Sequence, residues 1–562
     1  MKPPFLWFII FSLLVTSCHS SSKPEIENNK KEVQQTVAQH LKEILNDTSS
    51  ANGQQVLKEI KTKALCVQFY TEQNFQPAFT DSGLLNSNAK TLIQFIDSCC
   101  KVGLLPTDYH QQQLHSIDST IQKNYSAGVD IHAVLREELL LCDAFFQLCN
   151  HLKFGRTNAQ EFGINLPTRK ADSSNLVPLL IVSLREHQLQ NFLMSRLPQG
   201  KRYKSLQAAL INYQNKFQHI SWDTLPAIDS AAPQIFYTAL QQRLLKENWI
   251  DSSIKSSDTL ALKSAVKKFQ KQYNLYPDGI VGNRTRQALN KNPAYRIQQL
   301  AINMDRCKWD QDSLPQRYVF VNLPSFNAMV MDSDSMAINS RIICGKPATP
   351  SPLLNSVINY FIIYPYWTVP FSIATEEILP KLKKDTSYLS KHNMQVLNSN
   401  NEVIDVSKIN WKKYSLTYFP YKIRQLFGDD NTLGIVKFMF NNIFGIYLHD
   451  TDGRSLFAKE YRALSHGCIR MKEATAFSYY LVKDDTLKYP VDTLKALYDR
   501  KQKVQVNLKY PIPVYIRYFT ADEQNNRLCF YEDIYGIDEM MMNYIYKKQK
   551  PTLPADALQT TP

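Results

Sequence analysis

Two short stretches bring together residue types that can do chemistry: Tyr447-Leu448-His449-Asp450-Thr451 and Ser465-His466-Gly467-Cys468-Ile469-Arg470. A thiol attacks an acyl carbon well only as its thiolate, and a nearby imidazole can take the proton. The attacked carbonyl then needs N–H donors aimed at its oxygen. A glycine just before the nucleophile lets the backbone come close enough to supply them. His449, Gly467 and Cys468 provide those parts. Arg470 can hold a substrate carboxylate by a bidentate pair, and Ser465 can brace the loop. On residue types alone, a zinc site from His449, His466 and Cys468 is the competing reading. No fourth ligand for it is apparent.

The elements around these stretches read as strands. Arg317 to Leu323 alternates with β-branched and aromatic residues, and the short apolar run Ala328 to Met331 follows. Ala337 to Cys344, Val357 to Tyr364, Ile435 to Phe440 and Gly445 to His449 read the same way. Between them, Phe371 to Phe427 is charged and helical in pattern, with few large apolar residues beyond Ile378, Leu379 and Leu382. A β-domain with an inserted helical flap is the simplest account. Such a flap could close over an acyl-enzyme and exclude water. Val514 to Phe519 and Arg527 to Phe530 flank a polar turn and suggest a hairpin.

Upstream, Val33 to Leu225 repeats apolar residues at helical spacing, as in Leu135, Leu139, Cys142, Phe146 and Cys149. Nothing there assembles acids, bases or nucleophiles, so it reads as an α-helical scaffold. Residues 231–294 form a compact unit. In it Phe269-Gln270, Asn274-Leu275, Asp278 to Gly282, Thr285 and Ala288-Leu289 resemble the three-helix peptidoglycan-binding module. Asn274 stands where that pattern has Gly, which is tolerable because Asn also accepts positive φ.

The arrangement His449, fifteen residues (450–464), then Ser465-His-Gly-Cys468 resembles the L,D-transpeptidase (YkuD) catalytic domain. Arg317 to Pro324, Gly345-Lys-Pro347, Tyr364 to Pro370, Asp430 to Gly434, Lys437 to Phe440 and Tyr447 to Thr451 resemble its multi-domain YcbB-type branch. Ile378-Leu-Pro380 and Tyr388-Leu389 resemble that branch's capping subdomain. Arg470 stands where the wider family often has Asn, as that branch commonly does. The resemblance implies Cys468 as nucleophile, His449 as base, and the backbone carbonyl of Asp450 as the group orienting the imidazole. It also implies an oxyanion hole from the Gly467 and Cys468 amides, with Tyr447, Arg470, Ser465, His466 and Trp367 lining the substrate site. The reaction implied is acyl transfer between peptidoglycan tetrapeptide stems: D-alanine leaves and a 3-3 cross-link forms. It needs no cofactor or metal, and carbapenems would acylate Cys468.

The remaining sequence fits that setting. Met1 to Val15 carries one Lys and then an apolar run of about 11 residues, where a spanning helix needs about 20. Val15-Thr16-Ser17-Cys18 resembles the bacterial lipobox, which implies lipidation of Cys18. The expected location is therefore a lipid anchor facing the periplasm. His19 after Cys18 favours the outer membrane by the familiar sorting rule. The chain has 562 residues and a net charge of +14, with 44% hydrophobic and 21% charged residues, a globular composition. The positive balance suits an anionic glycan polymer, and nothing points to nucleic acid. With Cys18 set aside, nine cysteines remain without CxxC spacing, and most sit in apolar surroundings.

The expected architecture is thus multidomain α+β. It comprises a signal peptide (1–17), a polar tether (18–32), a helical N-terminal scaffold (33–230) and the three-helix module (231–294). A mainly-β catalytic domain (295–508) follows, with a helical capping subdomain at 371–427. A C-terminal β-hairpin extension (509–546) and a flexible tail (547–562) complete it.

Overall fold

The computed structural model describes residues 22–46, 56–167, 169, 175–310, 314–333, 335–524 and 527–548. The signal segment, Cys18 and the tail beyond residue 548 lie outside the described residues. The chain divides into two compact units. The first comprises 1–100, 105–150 and 172–196, and the second the rest.

The first unit is helical. Helix α1 (Ser22–Asn46) occupies much of the segment expected to be a tether, whose Glu and Lys residues are good helix formers. Helices α2 (Lys63–Glu72), α3 (Ser87–Ser98), α4 (Gln111–Asn124), α5 (Ile131–Phe154), α6 (Leu176–Arg185) and α7 (Leu189–Ser195) follow, α5 running on into the second unit. A two-residue hairpin interrupts them, β1 (Thr80–Asp81) with β2 (Leu84–Leu85). This unit does bury acids, contrary to the sequence reading. Asp143 accepts from Lys61 N, Thr62 N and Thr62 Oγ, and pairs with His110 at 2.7 Å. Glu138 accepts from Phe79 N, Thr80 Oγ1 and Tyr70 Oη. Both carboxylates hold loop backbone, which is structural work.

In the second unit, α8 (Lys201–Phe217) precedes the three-helix module: α9 (Pro233–Lys246), α10 (Thr259–Gln272) and α11 (Asn283–Asn290). Its core is Phe236, Leu240, Leu244, Leu262, Val266, Phe269 and Leu289. Buried Gln270 ties the turn that follows α10. Its amide donates to Asp278, Ile280 O and Thr285, and its oxygen accepts from Gly279 N at 2.8 Å. Asn274 has φ +50°, the left-handed conformation its residue type tolerates. Helix α12 (Pro293–Cys307) leads into the β-domain.

That domain is built on a nine-stranded sheet. Its strands are β3 (Arg317–Asn322), β4 (Asn327–Asp332), β5 (Ser335–Gly345), β6 (Leu354–Ile363), β10 (Val436–Phe440), β11 (Leu448–His449), β12 (Ala463–Ser465), β13 (Ile469–Met471) and β14 (Val504–Arg517). Their order is β12-β5-β13-β11-β10-β6-β14-β3-β4, and β4 also pairs with β5, so the sheet closes on itself. One face of each strand is core: Val319, Val330, Ile343, Phe361, Phe438, Leu448, Ile469 and Val514 are fully buried. Phe477 of α13 (Ala474–Val482) packs on Phe438 at 4.7 Å between ring centroids. Helix α14 (Val491–Asp499) leads back into the sheet at β14.

Two expectations need correction. The insertion at 371–427 is not purely helical. Its short helical turns pack on a three-stranded sheet of β7 (Trp367–Thr368), β9 (Lys422–Gln425) and β8 (Met394–Leu397). It also has its own core, which adds Leu389, Val396, Ile409, Trp411, Phe419 and Ile423 to the three residues noted above. Nor is Val514 to Phe519 half of a terminal hairpin. Residues 514–517 end β14, a central strand paired to β3 and β6, and so extend the catalytic domain past residue 508. The hairpin is β15 (Ala521–Gln524) with β16 (Arg527–Phe530), followed by α15 (Ile537–Lys547).

Candidate active site

Strand register gathers the chemistry on one face. Leu448 pairs with Ile469 and His449 with Arg470 across the parallel β11–β13 ladder, while Lys437 of β10 pairs with His449. Side chains alternate along a strand, and directly paired residues share a face. With Val436, Phe438, Leu448 and Ile469 in the core, the opposite face receives Lys437, Tyr447, His449, Cys468 and Arg470. The Tyr447 and His449 rings meet edge to face at 5.5 Å.

Cys468 precedes β13 in a tight loop. Burial pushes its thiol up, while hydrogen bonds from the Tyr447 backbone and hydroxyl, and the charges of Lys437 and Arg470, act to lower it. Trp367 of β7 acts on the same Tyr447 hydroxyl and favours its charged form, while the Cys468 sulfur disfavours it. His449 is 3% exposed. Burial, then the charges of Arg470 and Lys437, lower its pKa to about 3, against the favourable pull of the Asp450 and Leu433 backbones. Nδ1 is buried, and neither carbonyl completes a hydrogen bond to it. The Asp450 carboxylate is engaged elsewhere, accepting from Arg454 at 2.6 Å and Ile435 N at 3.2 Å.

The loop is held from both sides. Gly467 N donates to Ser465 Oγ at 3.2 Å, and Gly467 O accepts from Ser351 Oγ at 2.6 Å. Ser465 Oγ itself donates to the Cys468 carbonyl at 2.6 Å. Engagement of the Gly467 amide changes the expected oxyanion hole. Among the described residues, only the Cys468 amide of that pair has no protein acceptor. Glycine is required at 467 for its backbone, with φ +118°; a Cβ there would meet nothing closer than 3.9 Å. His466 turns to the cap, pairing with Glu377 at 2.6 Å. Trp367, Glu377, Ile378 and Asp452 line a cavity of about 320 Å³ beneath that subdomain. A second cavity of about 690 Å³ lies along Lys437, Asn442 and Tyr447.

Sequence reading missed Lys437, Ser351, Glu377 and Tyr535, which donates to Gly345 O at 2.7 Å and accepts from Ser351 N. Register is the signal that finds Lys437; nothing local marks the other three. Among the described residues no group of three or more His, Cys, Asp or Glu side chains could hold a metal ion. A thiol, a neutral imidazole, a free amide and two cations on one face can together support acyl transfer.

Residues 316–493 match the family described as "L,D-transpeptidase catalytic domain". This part of the chain is an L,D-transpeptidase catalytic domain. Residues 237–289 match the "Putative peptidoglycan binding domain" family, and residues 64–210 the "Scaffold domain" family. A curated protein of Haemophilus influenzae, described as "Putative L,D-transpeptidase", is 32% identical over 248 residues, which is 43% of this chain and 49% of that protein. The chain thus spans about half the length of the curated relative it matches. Among solved structures, the Ldtfm–avibactam carbamoyl enzyme matches at 12% identity over 55% of this chain and 98% of its own, with a TM-score of 0.17. A fused zinc-dependent amidase/peptidase and peptidoglycan-binding protein from Clostridium acetobutylicum matches at 13% identity over 52% of this chain and 98% of its own, with a TM-score of 0.14.

Proposed function

We propose that this protein is an exported L,D-transpeptidase that forms 3-3 cross-links in peptidoglycan through a cysteine acyl-enzyme. The observation that carries the reading is the placement of Cys468, Tyr447 and His449 on one sheet face, inside an L,D-transpeptidase catalytic domain. Cys468 attacks the carbonyl of the third residue of a tetrapeptide stem while its proton passes to His449. The Cys468 amide and the neighbouring cations receive the charge that develops on oxygen. His449 then protonates the departing D-alanine amine. The diaminopimelate side-chain amine of a second stem attacks the thioester, restoring the thiol. The module at 237–289 would keep the enzyme on glycan strands, and a lipid on Cys18 would tether it to the outer membrane facing the periplasm.

The test is intact-protein mass spectrometry of the chain from His19 onward with a carbapenem, then with purified disaccharide-tetrapeptide. A carbapenem adduct absent from Cys468→Ser, with a dimer lacking one D-alanine, is the expected result. Tripeptide product alone would make the enzyme an L,D-carboxypeptidase, and D-alanine exchange alone a D-amino-acid exchange enzyme. Lack of any adduct or product would leave a wall-binding lipoprotein. For the anchor, radiolabelled palmitate should enter the wild type and not Cys18→Ala.

A further inference from the structure

More positive charge surrounds Cys468 than one imidazole supplies. Lys437 is the cross-strand neighbour of His449 on one side, and Arg470 is its neighbour on the other. Three basic side chains therefore stand in a row on three adjacent strands. Burial disfavours the charged form of both outer ones. A lysine and an arginine so placed ordinarily find a carboxylate or carbonyl. Here neither side chain makes a hydrogen bond or salt bridge with any described residue, and the Arg470 Nε is buried without a partner. The Lys437 ammonium lies 3.7 Å from the centre of the Tyr447 ring, whose hydroxyl feels the Cys468 sulfur. The negative group that acts on Lys437 is that sulfur; on Arg470 it is Asp452 first and then the sulfur.

We propose that Lys437 and Arg470 stabilise the negative charge that forms on the Cys468 sulfur as it loses its proton, while His449 between them rests as a neutral imidazole beside the thiol rather than as the imidazolium partner of a thiolate. The proposal rests on Cys468 being the nucleophile. Two fixed cations favour an anion beside them and oppose a third cation. The titratable groups facing the sulfur are Tyr447, Lys437 and Arg470, those facing the ring are Tyr447, Arg470 and Lys437, and Asp452 faces Arg470 from the loop after β11.

In the attack, the S–H bond breaks and its proton moves to a His449 ring nitrogen. A bond forms from sulfur to the acyl carbon, and the carbonyl π pair moves to oxygen. The negative charge shifts from sulfur to oxygen. Crowded by two cations, His449 is a weak base at rest, so the proton leaves sulfur only as the carbon–sulfur bond forms, and the imidazolium so formed is a strong acid that gives its proton readily to the leaving amine.

The test is the pH dependence of iodoacetamide alkylation, followed by mass spectrometry on the peptide that carries Cys468. It measures thiol ionisation without requiring any transfer reaction, whereas the carbapenem adduct tests Cys468 as nucleophile separately. Lys437→Met keeps the aliphatic stem over Tyr447 and removes the charge. It should raise the alkylation midpoint by about one pH unit. At neutral pH this reads as roughly three- to tenfold slower alkylation, since a higher pKa also makes the thiolate a better nucleophile. Lys437→Arg should restore the wild-type midpoint, which a merely structural role would not require. His449→Asn should leave the midpoint in place. If His449→Asn moves it further than Lys437→Met does, the thiolate–imidazolium pair is the resting state and the proposal falls. An unmoved midpoint in Lys437→Met also overturns it, and a raised KM for tetrapeptide would then assign Lys437 to a substrate carboxylate.

Discussion

Removing one hydroxyl, that of Ser351, should disable the nucleophile loop. Ser351 is 1% exposed; its Oγ donates to Gly467 O at 2.6 Å and accepts from Gly345 N at 2.9 Å. Ser351→Ala leaves a buried carbonyl and a buried amide unpaired at once. Each unsatisfied group costs about 1–3 kcal/mol, so a loss of about 2–4 kcal/mol is expected once the loop relaxes. For a domain of this size that corresponds to a thermal midpoint lower by roughly 4–16 °C. The kinetic effect has a separate origin. Gly467 is gripped at its amide by Ser465 and at its carbonyl by Ser351, and the peptide unit of that carbonyl carries the Cys468 amide. Losing one oxyanion donor's alignment costs about 10²-fold in rate. The assay pairs scanning calorimetry with the rate of carbapenem adduct formation, in Ser351→Ala and in Ser351→Ala with Ser465→Ala. Because both serines hold the same glycine, through its two adjacent peptide units, the double variant should be less impaired than the two single effects multiplied. A Ser351→Ala protein with unchanged midpoint and wild-type acylation would refute the reasoning.

Three further outcomes are expected. His449 has a pKa lowered to about 3 in the folded chain against an ordinary 6.5, so between those values the unfolded chain binds the extra proton. Stability should therefore fall as pH drops from about 6.5 towards 3, and urea unfolding of His449→Asn should show a shallower decline over that window. Glu137 in the first unit has the opposite sign: buried, with both carboxylate oxygens unpartnered, its pKa is raised to about 8 from 4.5. Its contribution is complete below 4.5 and lost as pH rises through 8, so Glu137→Gln should melt higher than wild type in mildly alkaline buffer and no higher in acid. The exposed His466–Glu377 pair is worth no more than about 1 kcal/mol. Glu377→Gln should leave the melting temperature unmoved yet raise the ratio of tripeptide to cross-linked dimer, by loosening the cap; a constant ratio would deny the pair that role.

What the sequence disclosed, and what it hid, follows from the range of the interactions. Gly467-Cys468 and His449 are legible because the chemistry needs those residue types close in sequence or at strand ends. The three-helix module is legible because Gln270 and the Pro-Asp-Gly turn act within sixteen residues, 270–285. Strand β14 was hidden by its own prolines. A register shift between Asn507 and Ile512 takes up Pro511, and that irregularity breaks the alternation a strand should show. The cap's strands β8 and β9 are four residues each, too short for a period to register among charged neighbours. Ser351 and Tyr535 reach the site by contacts 116 and 190 residues apart in the chain, to Gly467 and Gly345. No local pattern encodes those contacts.

Lys437 is the instructive case, because its strand was legible and its place at the site was not. Moving the β10 register by one residue would send Lys437 into the core and bring Val436 or Phe438 to the sulfur. The residues on either side of it are fully buried, so that slip would cost two large apolar contacts and strand an ammonium. Core packing on one face of β10 and β11 therefore fixes the electrostatics on the other. This arrangement separates two kinds of precision. The charges around His449 sit on ladder strands, whose hydrogen bonds hold them whatever the loop does. The thiol sits on a loop set by two serine hydroxyls and one tyrosine. Changes in the loop should then alter how fast the thiol reacts while leaving its ionisation nearly fixed, whereas changes at Lys437 should move the ionisation and, only through it, the rate at neutral pH.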